Sequence, residues 1–189
     1  DWSSDVCSSD LAVTVKYHLN PWLVGSHFLL SLVVLTCGVL IALEAWGARG
    51  DAVPSWVRQT GLLIAAACVV LVVTGTFATA AGPHSGSVAV PLVWSFRPAV
   101  WLHVRATAVF GIAFALLLAW LAVRRTSQMR VALALLAVLA AQMAVGEIQY
   151  RTQLPWWLVL THVSLATALW VVTAVFVALL WRPARARAS

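Results

Sequence analysis

Five long apolar stretches constrain the fold of this 189-residue chain more than any other feature of its sequence. A helix that crosses a bilayer needs about 20 mostly apolar residues, and such stretches occupy residues 21–46, 62–80, 99–123, 131–148 and 156–181. Hydrophobic residues form 62% of the chain and charged residues only 10%, which excludes a water-soluble globular domain. No stretch alternates like a barrel strand. We therefore predict an all-α polytopic membrane protein with five transmembrane helices, the last four forming a four-helix bundle.

The first eleven residues, DWSSDVCSSDL, differ in composition from everything that follows. They are polar, and they lack the basic start and apolar middle of a signal peptide. Their letters match the translation of a common sequencing-library adapter. We therefore expect residues 1–11 to be an artefactual leader and the natural sequence of a truncated fragment to begin near Ala12.

The basic residues lie unevenly on the two sides of the predicted membrane. If the five helices alternate in direction, one side carries eight arginines: Arg49, Arg58, Arg124, Arg125, Arg130, Arg182, Arg185 and Arg187. The other side carries Lys16, Arg97 and Arg151. The positive-inside rule then predicts a multi-pass protein of the cell membrane with a cytoplasmic C-terminus. The topology explains the net charge of +6, and no soluble basic domain indicates nucleic-acid binding.

Three histidines lie at one predicted depth in the membrane. His27 and His162 each follow the outer start of a predicted span by six residues, and His103 follows Pro98 by five. At about 1.5 Å of rise per residue, all three lie roughly 7–9 Å below the outer helix ends. A single membrane histidine is ordinarily explained by a hydrogen bond between helices. A common depth favours instead a planar cofactor that is held from both faces.

The matched depth predicts a haem between His103 and His162, on the second and fourth helices of the bundle. Neutral imidazole is a strong axial ligand for haem iron, and two facing histidines fill both axial positions. Arg97 and Arg105 lie near the outer end of the His103 helix, where the haem propionates need cationic partners. The alternative role for Arg105 is to extend towards the membrane interface without a ligand.

The pattern Leu-x-x-Trp-Leu-Val-x-x-His occurs twice, at residues 19–27 and 154–162. A histidine ends each copy, so the repetition predicts a duplicated architecture. His27 then belongs to a second haem-sized pocket, and this chain contains one wall of that pocket.

Taken together, these motifs resemble the haem A synthase family, polytopic enzymes of cytochrome oxidase assembly. The resemblance rests on LNPWLVGSHFLLSL from Leu19, GTFATAAGPHSG from Gly75, WLHVRATAVFGIAFALLLAW from Trp101, and GEIQYRTQLPWWLVLTHVSLATALWV from Gly146. It covers residues 12–182. Members have eight membrane helices in two four-helix repeats. The resemblance implies that 12–55 end the first repeat, that 56–182 form the second repeat with haem b, and that 183–189 are a basic cytoplasmic tail.

The resemblance also implies an activity and a set of ligands. The activity is oxidation of a ring methyl of haem O to a formyl group, with haem b as an electron relay between His103 and His162. His27 matches a histidine of the substrate site for haem O, and His84 either binds a propionate or caps its loop. Other implied partners are haem O synthase (the protohaem farnesyltransferase), membrane lipid and a second copy of the chain.

Two departures from the family pattern limit what this chain is expected to do. Ser87 stands where an acidic residue commonly follows the Gly-Pro-His-x-Gly motif. The glutamate expected to remove protons belongs to the first outer loop of the family, which this sequence lacks, so we expect the chain alone to be inactive. Glu147 is not equivalent to that glutamate, and its spacing predicts a structural pair with Arg151.

Two other functions remain open at the level of sequence. A bis-histidine b-type cytochrome that only carries electrons requires the same haem but gives no reason for the repeated phrase that ends at His27. A transporter or structural membrane protein with hydrogen-bonded histidines requires no haem.

Overall fold

A computed structural model describes residues 20–82 and 95–183, and nearly all of these residues are helical. The helices are α1 (Pro21–Ala45), α2 (Ser55–Ala80), α3 (Phe96–Arg124), α4 (Met129–Arg151) and α5 (Trp156–Trp181). Each is long and apolar enough to cross a membrane. For these described residues, the prediction of an all-α fold with five such helices is confirmed. Within the described ranges the only strand-like feature is an isolated bridge between Gly50 and Pro183.

Capping residues and prolines set where the helices begin. The start of a helix therefore need not coincide with the start of its apolar stretch. At α1 the Asn20 side chain accepts a hydrogen bond from the Trp22 amide at 2.9 Å, and Pro21 occupies the first turn. Helix α2 begins directly after Pro54, before the apolar stretch that starts at residue 62. Its 26 residues span about 39 Å at 1.5 Å per residue, which exceeds the roughly 30 Å of hydrocarbon. Its polar first turns therefore extend beyond the apolar region.

The last four helices pack as two adjacent pairs, α2 with α3 and α4 with α5, and α2 also packs on α5. Aromatic side chains fill the middle of the bundle, where Phe114 meets Phe176 with perpendicular rings 5.9 Å apart and lies 6.3 Å from Phe110. These three side chains are at most 1% exposed. Most of the outer surface is apolar, as expected for helices that contact lipid.

Helix α1 lies against α5 and α2, outside the two pairs. The Trp170 indole donates to Thr36 Oγ1 at 2.8 Å and to the Leu32 carbonyl at 3.2 Å, which ties α1 to α5. The rings of Trp22 and Phe77 meet edge to face at 5.6 Å, which ties α1 to α2. The helix that carries His27 is thus held beside the bundle by polar and aromatic contacts.

Hydrogen bonds join the α1–α2 loop to the α3–α4 turn at one end of the molecule. The Ser127 amide donates to Asp51 Oδ2 at 2.6 Å, and the Asp51 amide donates to Ser127 Oγ at 3.1 Å. The side chain of Gln128, which is fully buried, donates to the Asp51 carbonyl at 2.8 Å. The last of these bonds satisfies the buried amide of Gln128, whereas Asp51 and Ser127 are exposed.

The end of α5 reaches the same network. Glu44 forms ion pairs with Arg49, at 3.1 Å, and with Arg182, and the Gly50 amide donates to the Arg182 carbonyl at 2.9 Å. The α1–α2 loop, the α3–α4 turn and the C-terminal end of α5 therefore share one end, as an alternating topology requires. We refer to Glu44, Arg49, Asp51, Ser127, Gln128 and Arg182 as the end network.

Replacing Gln128 tests the end network. We expect Gln128→Ala to lower the free energy of unfolding by about 1–3 kcal/mol, because it leaves a cavity and removes the donor to the Asp51 carbonyl. Thermal unfolding in detergent, followed by circular dichroism, measures this change. Gln59→Ala, at an exposed position of α2, is the matched control and should change stability little. Equal stability of the two variants would contradict the role given to Gln128.

Candidate functional site

The structure brings the rings of His103 on α3 and His162 on α5 close together, edge to face. Their ring centroids lie 6.3 Å apart, and the ring planes are 75° from parallel. Two imidazole nitrogens that each lie about 2.0–2.1 Å from a shared metal place the ring centroids on the order of 6 Å apart. The separation of the two rings is thus compatible with a shared metal, and both side chains are half-buried.

The environment of His103 determines which of its ring nitrogens carries hydrogen. Its Nδ1 lies 3.1 Å from the Leu71 carbonyl and 3.2 Å from Thr74 Oγ1. A carbonyl oxygen only accepts, so Nδ1 must be the donor. The Thr74 hydroxyl donates to backbone carbonyls of its own helix at 2.9 Å, so its oxygen remains available to accept. His103 Nε2 therefore keeps its lone pair, which is the form required of a metal ligand.

His162 is held differently, by the side-chain amide of Gln142 on α4. The Gln142 amide nitrogen lies 3.1 Å from His162 Nε2 and donates to it, so the ring hydrogen is on Nδ1. His162 Nδ1 and Gln142 Oε1 are both buried and have no hydrogen-bond partner. A buried polar group without a partner costs about 1–3 kcal/mol. The polar requirements of His162 are thus only partly met by the protein.

A glycine on the preceding helix lies against each ring. A Cβ atom at Gly75 would lie 3.1 Å from His103 Cε1, and one at Gly146 would lie 3.0 Å from His162 Cε1. The two settings are similar in sequence as well, because Leu71 precedes Gly75 by four residues and Gln142 precedes Gly146 by four. The absence of a side chain at these glycines makes the room for the imidazoles.

The remaining predicted site residues lie apart from this pair. His27 is exposed on α1, and its carbonyl accepts a hydrogen bond from Ser31 Oγ. Arg97 and Arg105 are exposed on α3, and the Arg105 guanidinium lies 3.5 Å from the centre of the Trp101 ring. At 3.6 residues per turn, Arg105 projects from nearly the opposite side of α3 to His103. The propionate role of the two arginines stays a prediction, and His84 lies outside the described residues.

The predicted pair of Glu147 and Arg151 is confirmed. Arg151 Nε donates to Glu147 Oε1 at 2.5 Å, one helical turn apart, and both side chains are exposed. Such exposed pairs add a few tenths of a kcal/mol to helix stability, which fits a structural role at the end of α4.

In residues 20–82 and 95–183 no three histidine, cysteine or carboxylate side chains lie close enough to hold a metal ion. The candidate ligands that the structure brings together there are the imidazoles of His103 and His162.

Comparisons of the chain with protein-family models, with curated proteins and with solved structures found no match. The family resemblance of the sequence motifs therefore stays a prediction. The function has to be inferred from the residues of the site.

Sequence reasoning did not identify Thr74, Gln142, Gly75 and Gly146 as parts of the site. Gln142 gave the clearest available signal, because it is a lone amide in the apolar run ALALLAVLAAQMAVG of α4. A polar side chain inside a membrane helix usually faces the bundle interior and has a partner there. That partner could be identified only once the rotation of α4 relative to α5 was known.

Substitution of the two glycines tests the packing of the rings. Gly75→Ala and Gly146→Ala should each move the adjacent imidazole by a few tenths of an ångström, because the new methyl group would lie within 3.1 Å of Cε1. Solid-state NMR of isotope-labelled histidines in bilayers would detect this as shifts of the His103 or His162 signals. Gly111→Ala is the control, since a Cβ atom there meets open space. Unchanged histidine signals in all three variants would contradict the close contact.

Proposed function

We propose that His103 and His162 are the axial ligands of a haem b, and that the chain is the haem b part of a haem A synthase. The observation that carries this proposal is the pair of rings on facing helices, 6.3 Å between centroids. The fit of the surrounding residues supports it. His103 keeps a free Nε2 lone pair, and His162 carries its ring hydrogen on Nδ1, so that its Nε2 lone pair accepts from the Gln142 amide. Gly75 and Gly146 let both rings pack against the neighbouring helices.

The ligand pair suits electron transfer. A haem with both axial positions filled by histidine has no open position for oxygen or substrate and serves as a one-electron relay. The protein's part is to fix both imidazoles in the tautomer that ligates through Nε2 and to keep water from the iron. The apolar side chains of the bundle, with Phe110 and Phe114 further along α3, provide the dry surroundings.

The position of His27 supports the synthase over a simple electron carrier. His27 ends the first copy of the repeated phrase and lies on α1, outside the pair formed by His103 and His162. A second histidine site beside the haem b site is what an enzyme with a substrate haem requires. Oxidation of the haem O methyl group to a formyl group, with haem O as substrate, is the activity that the motifs imply.

The runner-up is a bis-histidine b-type cytochrome that carries electrons and alters no haem. The observation in favour of this cytochrome is that His103 and His162 already pair within the described residues, so that His27 is not needed as a haem ligand. The two functions differ in the haems that can be extracted. Cells making haem O and a longer chain with the upstream helices should accumulate haem A if the synthase proposal is correct, and His27→Ala in that chain should abolish it.

We also propose an orientation in the cell membrane. The end network gathers the α1–α2 loop with Arg49 and the end of α5 with Arg182. It also includes the α3–α4 turn, where Arg124, Arg125 and Arg130 lie at or beside the helix ends. Concentrated arginines favour the cytoplasmic side, so the two site histidines lie towards the outer side.

Histidine substitutions test the haem b site directly. In cells that make haem, we expect the purified 189-residue chain to give a b-type pyridine haemochrome spectrum. His103→Ala and His162→Ala should each lower haem content at least about tenfold. Loss of a group that hydrogen-bonds a metal ligand already lowers metal affinity by about that factor, and loss of the ligand itself should lower it at least as much. His27→Ala is the control and should keep the b-type signal. A wild-type chain without haem, or a signal unaffected by both variants, would overturn the proposal.

A further inference from the structure

We propose that Gln142 is a positioning residue for His162, whose side-chain oxygen accepts the Nδ1 hydrogen when Nε2 ligates iron. This inference rests on the proposed haem b site and deepens it. It concerns the partner that fixes the tautomer and the basicity of one axial ligand. A metal-bound histidine almost always donates its second ring N–H to a carbonyl, a carboxylate or water.

The His103 side shows what a complete arrangement looks like in this bundle. There the ring donates from Nδ1 to the Leu71 carbonyl, and Thr74 Oγ1 lies beside it at 3.2 Å. Thr74 directly precedes Gly75, the glycine that lies against the ring. His103 thus has oxygen acceptors for its N–H and a free nitrogen on the other side of the ring.

The His162 side differs at the corresponding positions. Val145 precedes Gly146, so no hydroxyl is available where Thr74 stands on α2. Gln142, one turn before Gly146, supplies the only hydrogen bond recorded for the His162 ring among the described residues. The Gln142 amide is therefore the hydrogen-bond partner of the His162 ring, as the Leu71 carbonyl and Thr74 are the partners of the His103 ring.

The unsatisfied atoms indicate how the amide would be used. Gln142 is 8% exposed, and its Oε1 lies buried without a donor while His162 Nδ1 lies buried without an acceptor. If His162 Nε2 ligates iron, the Gln142 amide must leave that atom, and a new rotamer of the side chain, rather than a flip of the amide in place, has to carry Oε1 to Nδ1. Pairing Oε1 with Nδ1–H would then satisfy both orphaned atoms, which matches the arrangement at His103.

Two substitutions of opposite character test this inference in the full chain. Gln142→Leu keeps the volume and removes the acceptor, so haem affinity should fall by about 10- to 100-fold. The haem that remains should have a higher midpoint potential, because a less basic His162 stabilises ferric iron less. Gln142→Glu retains an acceptor oxygen and strengthens it. This variant should keep the wild-type haem content and have a lower midpoint potential than the wild type.

Gln59→Leu is the matched control and should leave both quantities unchanged, because Gln59 is exposed on α2 and lies 16 residues, or about 24 Å along the helix, from Gly75. Unchanged haem content and potential in Gln142→Leu would overturn the role of Gln142, as would a Gln142→Glu variant that loses haem or shifts its potential upwards. If the wild type holds haem that depends on His103 and His162 but is indifferent to residue 142, only this inference fails. If the wild type holds no haem, the proposed function fails.

Discussion

The close contact of each imidazole with a glycine is the constraint on which the site depends. Helix α3 can bring His103 to the bundle interior only because α2 presents Gly75 there, and α5 relies on Gly146 of α4 in the same way. Small residues let membrane helices approach closely, and polar groups between them must find partners within the protein. Each tight helix pair therefore fixes the atoms that surround its imidazole, and the packing of α2 on α5 between the pairs sets the separation of the rings.

The helix pairs α2–α3 and α4–α5 both place a glycine against a histidine ring, but they differ in the group that hydrogen-bonds the ring. His103 donates to a backbone carbonyl, which no side-chain substitution removes, whereas His162 depends on the side chain of Gln142. The backbone partner holds His103 rigidly, whereas the flexible side chain of Gln142 lets His162 adjust. The aromatic core around Phe114 lies further along the helices and holds the bundle together independently of the polar groups.

Hydropathy alone predicted the five helices, because the requirement of a bilayer for apolar length is nearly independent of how helices pack. The matched depth of His103 and His162 could also be predicted, since depth follows from position along a helix. Rotation about the helix axis could not. These helices are apolar on nearly every face, so no amphipathic pattern shows which side of α4 meets α5 or that Gln142 faces His162. The placement of Arg105 away from His103, by contrast, follows from their spacing of two residues, which is about half a turn of helix.

The pairing of Glu44 with Arg182 has a consequence for biosynthesis. Glu44 leaves the ribosome with α1, whereas Arg182 follows only after α5 has been made. This ion pair can therefore form only after α2, α3, α4 and α5 have been synthesised. Until α5 is made, α2 is the one described helix that α1 contacts.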